Sequence, residues 1–417
     1  MNQFILPLIL TFTLLTRIWR LDFPPEFYFD EVYHVVTAQA YSRNNPAGYE
    51  WWHEPPQPGT AYDWLHPPLA KLIQAGSINL LGDHSFAWRF PGVIAGTFSV
   101  YLVYLLAKHL FPPTSLVPIL SAFLFSLDGL NLVQSRITMN DIFLTAAVLA
   151  SLVAFFKFTR THNRYFLLLT GFLTGLSIAI KWTGVFLLLL YLSLETIYFL
   201  SDRHFHLSRF LTQLRRYLFA FIVLPALIYL ASYAQFWLQG HTLTQFWHLH
   251  QQIWWYQTKL TATHSYQSPA LSWPLNLRPV WYYVNYTPTT IANIYALGHP
   301  LIFWAGLLAV IYTPIFLFSQ RPKTKDQRPL VILILAYFAF FLPWVFSPRI
   351  MFLYHYLPAT PFMIILLAWL LSRLGKSVTI AYCLLAIALF IFFYPHWTAL
   401  PIPKDWVKFY FWFPSWK

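Results

Sequence analysis

The stretch PLVILILAYFAFFLPWVF, residues 329–346, runs for eighteen residues without a charged side chain. A helix of roughly 20 apolar residues is long enough to cross the roughly 30 Å hydrocarbon core of a bilayer. The run lacks the period-two alternation that a membrane-spanning β-strand requires. It therefore predicts a transmembrane helix.

Similar apolar runs recur along the whole chain, which is 58% hydrophobic, 20% aromatic and only 10% charged. These proportions differ strongly from those of a soluble domain and predict an integral membrane protein. We therefore predict an all-α membrane fold with about eleven transmembrane helices. The predicted spans are residues 3–19, 88–107, 115–133, 139–157, 165–181, 184–200, 217–238, 292–318, 329–346, 354–371 and 377–394.

Basic residues cluster in the short connections between these spans. With a cytoplasmic N-terminus they all fall on one side of the membrane, as the positive-inside rule requires. The net charge of +13 then reflects topology and contact with anionic membrane lipids, and we do not expect nucleic acid as a partner. These basic residues are Lys108, Arg160, Arg164, Arg203, Arg209, Arg215, Arg216, Arg321, Lys323, Lys325, Arg328, Arg373 and Lys376.

The opposite side, the predicted outer face, carries a first outer loop (residues 20–87), a second outer loop (239–291) and a C-terminal tail (395–417). The single cysteine, Cys383, lies in a predicted span and excludes an intrachain disulfide framework. The first apolar segment lacks a basic start and a small-residue exit, which indicates a retained helix. No appended soluble domain is evident, so we expect residues 1–417 to form one polytopic domain.

Two adjacent carboxylates, Asp30 and Glu31, follow the first predicted span in the sequence Phe-Asp-Glu-Val-Tyr-His. The chain has only 14 Asp and Glu residues, and a pair of them at a bilayer surface is costly in free energy. A carboxylate placed there can act as a general base for a hydroxyl group. A solvated helix N-terminus is the alternative interpretation.

Cationic side chains follow in the same region. The sequence His-Pro-Pro-Leu-Ala-Lys runs from His66 to Lys71, and Arg89 stands at the entrance to the second span. Because proline is tolerated in the first turn of a helix, Pro67 and Pro68 predict a helix start with Lys71 one turn inside. Cations near a carboxylate favour binding of a lipid phosphate. An amphipathic interfacial helix with a snorkelling lysine is the alternative interpretation.

Three further charged residues, Arg136, Asp141 and Lys181, lie near the ends of predicted spans. An aspartate at a helix N-terminus complements the helix dipole, so capping explains Asp141 as well as catalysis does. An ionisable residue at membrane depth is a functional candidate, but snorkelling explains Lys181 equally well. The residues alone leave these alternatives open.

The series of motifs resembles that of the protein O-mannosyltransferases, which belong to the C-type multispanning glycosyltransferases that use polyprenyl-phosphate sugars. The resemblance extends in order over nearly the whole chain. Its motifs are Phe29-Asp30-Glu31, His66-Pro67-Pro68-Leu69-Ala70-Lys71, Arg89-Phe90-Pro91-Gly92, Arg136 with Asp141, Lys181-Trp182-Thr183-Gly184, and residues 264–268, 273–279, 296–300, 349–358 and 400–403.

This resemblance implies transfer of mannose, with inversion at the anomeric carbon, from a polyprenyl-phosphate-mannose donor to Ser or Thr hydroxyls of secreted polypeptides. The acceptor is expected to arrive during translocation, delivered by the secretion translocon, and the implied site lies on the outer face of the plasma membrane. The second outer loop has room for only about fifty residues. The MIR domain of eukaryotic members is therefore not expected, and the chain resembles a bacterial-type member.

The resemblance also implies residue roles. Asp30 is the implied catalytic carboxylate, and Glu31, roughly 100° away around a helix, is expected to support it. The leaving phosphate needs positive charge, and arginine is favoured because a guanidinium group binds phosphate in a bidentate manner. The resemblance makes Arg89 the first choice. The other donor-site candidates are Lys71, Arg136, Asp141, Lys181, Arg349, His355 and Tyr356. A buried, hydrogen-bonded histidine is the alternative for His355.

No cofactor is expected. Asp30 and Asp141 could hold a divalent cation, as in related lipid-sugar transferases, but the mannosyltransferase branch is regarded as metal-independent and we do not favour a metal. The His, Asp and Glu spacings form no tetrahedral zinc pattern. Aromatic residues of the second outer loop are expected to contact the acceptor, with packing in an interfacial belt as the alternative. They are Trp254, Trp255, Tyr256, Tyr266, Trp273 and Trp281.

Two other functions are alternatives to this one. A transferase of the same fold could act on an envelope lipid or glycan, as the aminoarabinose transferases do. A polytopic transporter is expected to have charged or broken helices near the bilayer midplane and paired repeats. The distinctive charges of this chain fall near span ends and no repeat is evident, which disfavours a transporter.

Overall fold

The computed structural model describes residues 2–201, 214–259, 261–319 and 327–417. Helices make up most of these residues. The first nine are α1 (Asn2–Ile18), α2 (Glu31–Ser42), α3 (Leu69–Leu81), α4 (Ser85–Leu110), α5 (Val117–Ser126), α6 (Gly129–Ser135), α7 (Asp141–Thr161), α8 (Arg164–Ile180) and α9 (Phe186–Ser201). They are followed by α10 (Leu214–Ser232), α11 (Ala234–Leu238), α12 (Leu243–Lys259), α13 (Pro300–Ser319), α14 (Arg328–Val345), α15 (Thr360–Arg373) and α16 (Lys376–Thr398).

These helices confirm the predicted helical membrane fold. In the part of the chain that the structure describes, seven helices are long and apolar enough to cross a bilayer, or eight if α5 and α6 form one span. The shorter apolar helices α1, α8 and α9 coincide with three further predicted spans. The count of eleven spans stays a prediction.

The predicted span over residues 115–133 is broken. Its two halves, α5 and α6, meet at an angle of 60°. The carboxylate of Asp128, between them, accepts a 3.0 Å hydrogen bond from the backbone N–H of Asn131 and so caps α6. A new cap inside an apolar run starts a second helix in a new direction. The predicted span over 217–238 is likewise interrupted, at Tyr233 between α10 and α11.

A small antiparallel sheet replaces the start of the predicted span 292–318. It consists of β1 (Val280–Tyr286), β2 (Thr290–Ala296) and β3 (Ile402–Pro403), in that order across the sheet. Aromatic and β-branched residues dominate β1 and favour extended structure. Helix α13 starts only at Pro300, whose missing N–H is tolerated in a first turn. The prediction of helix over 292–299 was wrong because apolar content alone does not separate a buried strand from a helix.

The pairing of β1 with β2 shifts register between Trp281 and Tyr283. Such a bulge redirects the side chain of the extra residue. Here Tyr282 is buried, its hydroxyl accepts a 2.7 Å hydrogen bond from Nε2 of Gln134, and its ring stacks on Phe29 at a centroid distance of 4.0 Å. The sheet thereby fixes the chain just before α2.

The three segments predicted to share the outer face do contact one another. Nε2 of His241, in the second outer loop, lies within hydrogen-bond distance of Oε1 of Glu50, in the first, at 2.9 Å. The backbone N–H of Lys404, in the C-terminal tail, donates to the carbonyl of Thr289 in the second outer loop. The tail begins as helix, because α16 continues to Thr398. That this shared side faces outward stays a prediction.

The segment Leu353–Arg373 lies at the centre of the molecule. A 3-10 turn over Leu353–Ala359 leads directly into α15, and 89% of this apolar segment is buried inside the protein. A turn so enclosed holds its side chains in fixed positions.

Five residues of the predicted basic connections lie outside the described residues, namely Arg203, Arg209, Arg321, Lys323 and Lys325.

Candidate active site

Asp30 stands where the first outer loop enters α2, as the N-cap residue of that helix. Its partly buried carboxylate accepts a 3.4 Å hydrogen bond from the Tyr354 hydroxyl. The preceding residue, Phe29, has a φ of 50°, a conformation that non-glycine residues adopt rarely and that clusters at functional sites. The stacking of Phe29 on Tyr282 fixes this backbone, so Asp30 is presented in one orientation.

The electrostatic environment of Asp30 suits a proton acceptor. Burial raises the pKa of Asp30 to about 6; the charges of His34 and Lys181 oppose the rise, while those of Asp63 and Asp141 add to it. A general base is most effective when its pKa lies near the working pH. The site therefore gives Asp30 more proton affinity than an ordinary carboxylate while leaving it ionised at neutral pH.

Asp63 is a second carboxylate in the same cluster. Its Oδ2 lies 2.8 Å from Nζ of Lys71 and 2.9 Å from Nδ1 of His34, whose ring runs parallel to that of His66 at 6.5 Å. Burial alone would raise the pKa of Asp63, but Lys71 and His34 hold it well below its ordinary value. Burial also keeps the pKa of His66 well below its usual range. Asp63 is thus a fixed charge, whereas Asp30 titrates, a separation typical of acid–base sites.

The predicted helix start after His66 is confirmed. Helix α3 begins at Leu69, directly after the buried Pro67 and Pro68, and Lys71 lies in its first turn. The ammonium group of Lys71 is fully buried and reaches the Asp63 carboxylate and the backbone carbonyls of Asp63 and His66. These three acceptors match the three N–H donors of a lysine. Lys71 therefore orders the loop and does not snorkel.

Lys181 and Asp141 form a buried ion pair, with Nζ 2.8 Å from Oδ1. Asp141 is the first residue of α7, and Lys181 follows the last residue of α8. The carboxylate of Asp141 thus pairs with a cation from another helix, and neither capping nor snorkelling describes this arrangement. Because both charges act on Asp30, the pair belongs to the same site.

Glu31 turns away from Asp30 and binds Arg89. Both carboxylate oxygens accept hydrogen bonds of 2.8 Å from the guanidinium group, and both side chains are buried. The remaining N–H groups of Arg89 donate to the backbone carbonyls of Leu21, Pro24 and Glu26. All five donors of the guanidinium group are then used. This geometry does not support Arg89 as the first contact for a donor phosphate, and it makes Glu31 a structural partner.

Arg136 also forms hydrogen bonds with backbone carbonyl groups. It donates to the carbonyls of Arg17 at 2.6 Å, Trp19 at 2.8 Å and Arg20 at 3.1 Å, and is buried. These carbonyls lie at the end of α1, where the last turn of a helix leaves acceptors without partners. Arg136 does not pair with Asp141, and its position favours a role in anchoring α1.

Arg349 is the predicted cation with the most accessible side chain. It is partly exposed, donates to Oε1 of Gln257 and to the carbonyl of Ile350, and lies 6.0 Å from the ring of Tyr256. Within the described residues its Nη2 has no hydrogen-bond partner. Burial raises the pKa of Tyr256, Arg349 opposes this rise, and Asp63 and Asp30 add to it. Arg349 and Asp30 therefore act on the same hydroxyl, across one site.

His355 and Tyr356 were predicted to lie in the donor site. Instead, the Tyr356 hydroxyl lies in the core, 2.9 Å from that of Tyr337. The His355 Nδ1 lies 3.1 Å from the carbonyl of Phe352, in the same turn, which agrees with a buried, hydrogen-bonded histidine. The residue of this turn that reaches Asp30 is Tyr354.

A divalent cation finds no ready-made ligand set here. Among the described residues, no group of three or more His, Cys, Asp or Glu side chains is arranged to hold a metal. Of the two aspartates considered as ligands, Asp141 is engaged by the Lys181 ammonium, which would compete with a metal for its oxygen atoms. That the protein needs no cofactor stays a prediction.

Four residues of the site were not predicted as such: His34, Asp63, Tyr282 and Tyr354. His34 follows Asp30 by four residues, a spacing that puts both on one helix face, so the sequence held a signal for it. Asp63 begins the stretch that ends in Lys71, but the sequence does not show that its carboxylate pairs with Lys71 and His34. Tyr354 lies in the motif of residues 349–358, but nothing local links it to Asp30, which it reaches from a distant turn. Tyr282 carries no local signal, because a bulge places it against Phe29.

Comparison with known proteins agrees with this architecture. A family model described as dolichyl-phosphate-mannose-protein mannosyltransferase matches residues 8–244, and one described as the C-terminal four-TMM region of protein-O-mannosyltransferase matches residues 242–416. The polyprenol-phosphate-mannose–protein mannosyltransferase of Mycolicibacterium smegmatis is 25% identical over 85% of this chain and 82% of the relative. The enzyme of the same name from Mycobacterium tuberculosis is 24% identical over 85% and 81%.

Solved structures share the fold. The Saccharomyces cerevisiae protein O-mannosyltransferase Pmt1–Pmt2 complex bound to the sugar donor superposes with a TM-score of 0.83 at 16% identity, covering 100% of this chain and 92% of that chain. ArnT from Cupriavidus metallidurans bound to undecaprenyl phosphate gives a TM-score of 0.60 at 15% identity, over 92% and 62%. The two family models together span nearly the whole sequence. The chain belongs to the dolichyl-phosphate-mannose-protein mannosyltransferase family and is a multi-pass membrane glycosyltransferase.

Proposed function

We propose that this enzyme transfers mannose from a polyprenyl-phosphate-mannose donor to a Ser or Thr hydroxyl of a secreted polypeptide, with Asp30 as the general base. The observation that carries this proposal is the Asp30 carboxylate, whose pKa is raised to about 6 and which is held by Tyr354 beside the Lys181–Asp141 pair. Mannose transfer to proteins is the activity that names the family, and the names of the mycobacterial relatives support a polyprenyl-phosphate donor.

In the proposed step, Asp30 accepts the proton of the acceptor hydroxyl as the oxygen attacks the anomeric carbon. The bond between that carbon and the phosphate oxygen breaks, and its electron pair leaves with the polyprenyl phosphate. Attack opposite the leaving group inverts the configuration. A positioned base contributes about 10² to 10⁴ in rate to such a step. The positive charge that the leaving phosphate needs comes, in this proposal, from the site's remaining cations.

We assign that charge to Arg349 and Lys181. Arg349 is partly exposed, and its Nη2 has no hydrogen-bond partner among the described residues, so it can bind a phosphate oxygen without losing its contact with Gln257. Lys181 has N–H donors beyond the one given to Asp141. Arg89 and Lys71 act in this scheme by fixing the loop, because all their N–H donors are occupied. Arg136 acts by fixing α1, because it is buried against the carbonyls at the end of that helix.

We place the reaction on the outer face of the plasma membrane. The basic connections of the chain favour a cytoplasmic location for the opposite side. The acceptor would then reach Asp30 between the two outer loops as an extended polypeptide, delivered by the secretion translocon. Anionic lipids would contact the basic connections.

The test is mannosyl transfer from purified polyprenyl-phosphate-mannose to a Ser/Thr peptide by enzyme in detergent or proteoliposomes. Asp30→Asn should lower kcat by about 10² or more, because the amide cannot accept the proton. The matched control is Asp22→Asn, an exposed carboxylate in the same loop, which should keep full activity. Transfer by Asp30→Asn at the wild-type rate would refute the assignment of the base, and donor consumption without peptide glycosylation would refute the acceptor.

A further inference from the structure

A cavity of about 780 Å³ opens between Trp182 and one face of α12. Three tryptophans of α12 also line it, namely Trp247, Trp254 and Trp255. These residues are 65%, 63% and 52% exposed. None of the catalytic-site residues described above lines this cavity. We call it the tryptophan groove.

The lining of the tryptophan groove is aromatic and polar but uncharged. Between the indole rings lie His250, Gln251 and Gln252. Both nitrogens of His250 are engaged, with the Phe246 carbonyl at 2.8 Å and the Tyr229 hydroxyl at 2.7 Å. The two glutamine amides have no hydrogen-bond partner within the described part of the chain. The groove therefore offers ring faces and free amide groups to a neutral ligand.

This combination disfavours a surface that only contacts lipid. Amide groups without partners cost free energy when they face hydrocarbon, so Gln251 and Gln252 indicate contact with water or with a polar ligand. Trp182 is held in place, because its Nε1 donates a 2.9 Å hydrogen bond to Tyr229 and its ring packs against that of His250, at a centroid distance of 6.1 Å and an interplanar angle of 29°. A fixed aromatic wall with a few polar groups is typical of a small-molecule site.

The tryptophan groove borders the catalytic site at two points. Trp182 directly follows Lys181, whose ammonium pairs with Asp141. On α12, Gln257 lies one turn beyond Trp254, about 5 Å along the helix axis. Gln257 contacts Arg349 and donates to the carbonyl of Leu65, in the first outer loop. The groove is thus connected to the catalytic site through Trp182 and through Gln257.

We propose that the tryptophan groove binds a hexopyranose, namely a mannosyl group already attached to the acceptor polypeptide close to the hydroxyl that reacts next. The apolar face of the sugar ring stacks on the indole rings, and the amides of Gln251 and Gln252 bond its hydroxyls. The absence of charge among the described lining residues suits a neutral sugar and disfavours a phosphate or a charged peptide segment. This inference rests on the proposed function, since it takes the product of one transfer as the ligand.

Binding is tested first with methyl α-D-mannopyranoside as the probe and tryptophan fluorescence as the readout, using the full-length enzyme in detergent. The wild-type protein should show saturable quenching, and Trp254→Ala should raise the Kd about tenfold. The matched control is Trp406→Ala, a 58% exposed tryptophan of the C-terminal tail, which should leave the Kd unchanged. The same titration on Asp30→Asn should still show binding, which separates this site from catalysis.

Kinetics supply the second measurement. For each variant, kcat/KM is compared between a Ser/Thr peptide and the same peptide carrying one O-linked mannose. The ratio of mannosylated to plain peptide should fall about tenfold in Trp254→Ala and stay constant in Trp406→Ala. No saturable quenching, equal quenching in both tryptophan variants, or an equal loss with both peptides would overturn the proposal. If no variant or wild-type protein transfers mannose but the sugar binds as described, the proposed function fails while the sugar site stands.

Discussion

The hydroxyl of Tyr354 lies 3.4 Å from Oδ2 of Asp30 and joins two positions that are 324 residues apart. Tyr354 belongs to the enclosed turn before α15, whereas Asp30 belongs to a loop. The rigid turn therefore limits the motion of the carboxylate. A hydrogen bond donated to a carboxylate also favours its ionised form, which opposes the effect of burial.

The rate of transfer should depend on the protonation of Asp30. Because burial raises the pKa of Asp30 to about 6, the carboxylate is ionised above this pH and protonated below it. We expect kcat/KM for the acceptor to be level near neutral pH and to fall about tenfold per unit below pH 6. Thermal unfolding curves over the same range serve as the control for loss of folded protein. A level profile down to pH 5 would contradict the role of Asp30.

The Lys181–Asp141 pair should set the midpoint of that profile. Asp141 raises the pKa of Asp30 and Lys181 lowers it. Asp141→Asn should therefore move the acidic limb to lower pH, and Lys181→Met should move it to higher pH. The pH dependence of kcat/KM measures both, with Lys404→Met, on the exposed tail, as the control that should not move it. Shifts in the same direction for both variants would show that the pair does not act through its charges.

Breaking the buried Glu31–Arg89 pair should destabilise the protein more than it affects chemistry. Removing one partner leaves an uncompensated buried charge, so Glu31→Gln should lower the free energy of unfolding by about 3–5 kcal/mol. The exposed pair of Arg43 and Asp83 offers a control, because Arg43→Gln should cost less than about 1 kcal/mol. Chemical unfolding in detergent gives both values. Equal stabilities for the two variants would contradict the structural role of Glu31.

Arg349 should affect donor binding more than any step at the acceptor. We expect Arg349→Ala to raise the KM for polyprenyl-phosphate-mannose by about tenfold to a hundredfold, since a charge-assisted contact with the phosphate is lost. Arg349→Lys keeps the charge but loses the bidentate geometry, so its KM should lie between those of the wild type and the alanine variant. Initial rates at varied donor concentration check this. An unchanged donor KM in Arg349→Ala would exclude Arg349 as the phosphate contact.

The roles of individual cations show where sequence reasoning fails. The sequence does not distinguish the cationic candidates Arg89, Arg136, Lys71 and Arg349 by charge, and the family resemblance favoured Arg89. Whether a cation can bind a ligand depends on its unused N–H donors. Glu31 and backbone carbonyls use all five donors of Arg89, and Asp63 and His66 use all three of Lys71. Arg136 donates to three carbonyls at the end of α1. No local pattern reports that competition.

The sequence by itself determined the helical membrane fold, the start of α3 after Pro68 and the family. These follow from local properties, namely the length of apolar runs, the fixed φ of proline and the order of short motifs. Only the tertiary structure decided that Glu31 binds Arg89, that Lys181 pairs with Asp141 and that Tyr354 contacts Asp30. The sequence also did not predict the β-hairpin before α13. The three side-chain contacts join residues far apart in the chain, where burial and the competition for hydrogen-bond partners select one arrangement. The hairpin is a local element, and it was missed because apolar content alone does not separate a buried strand from a helix.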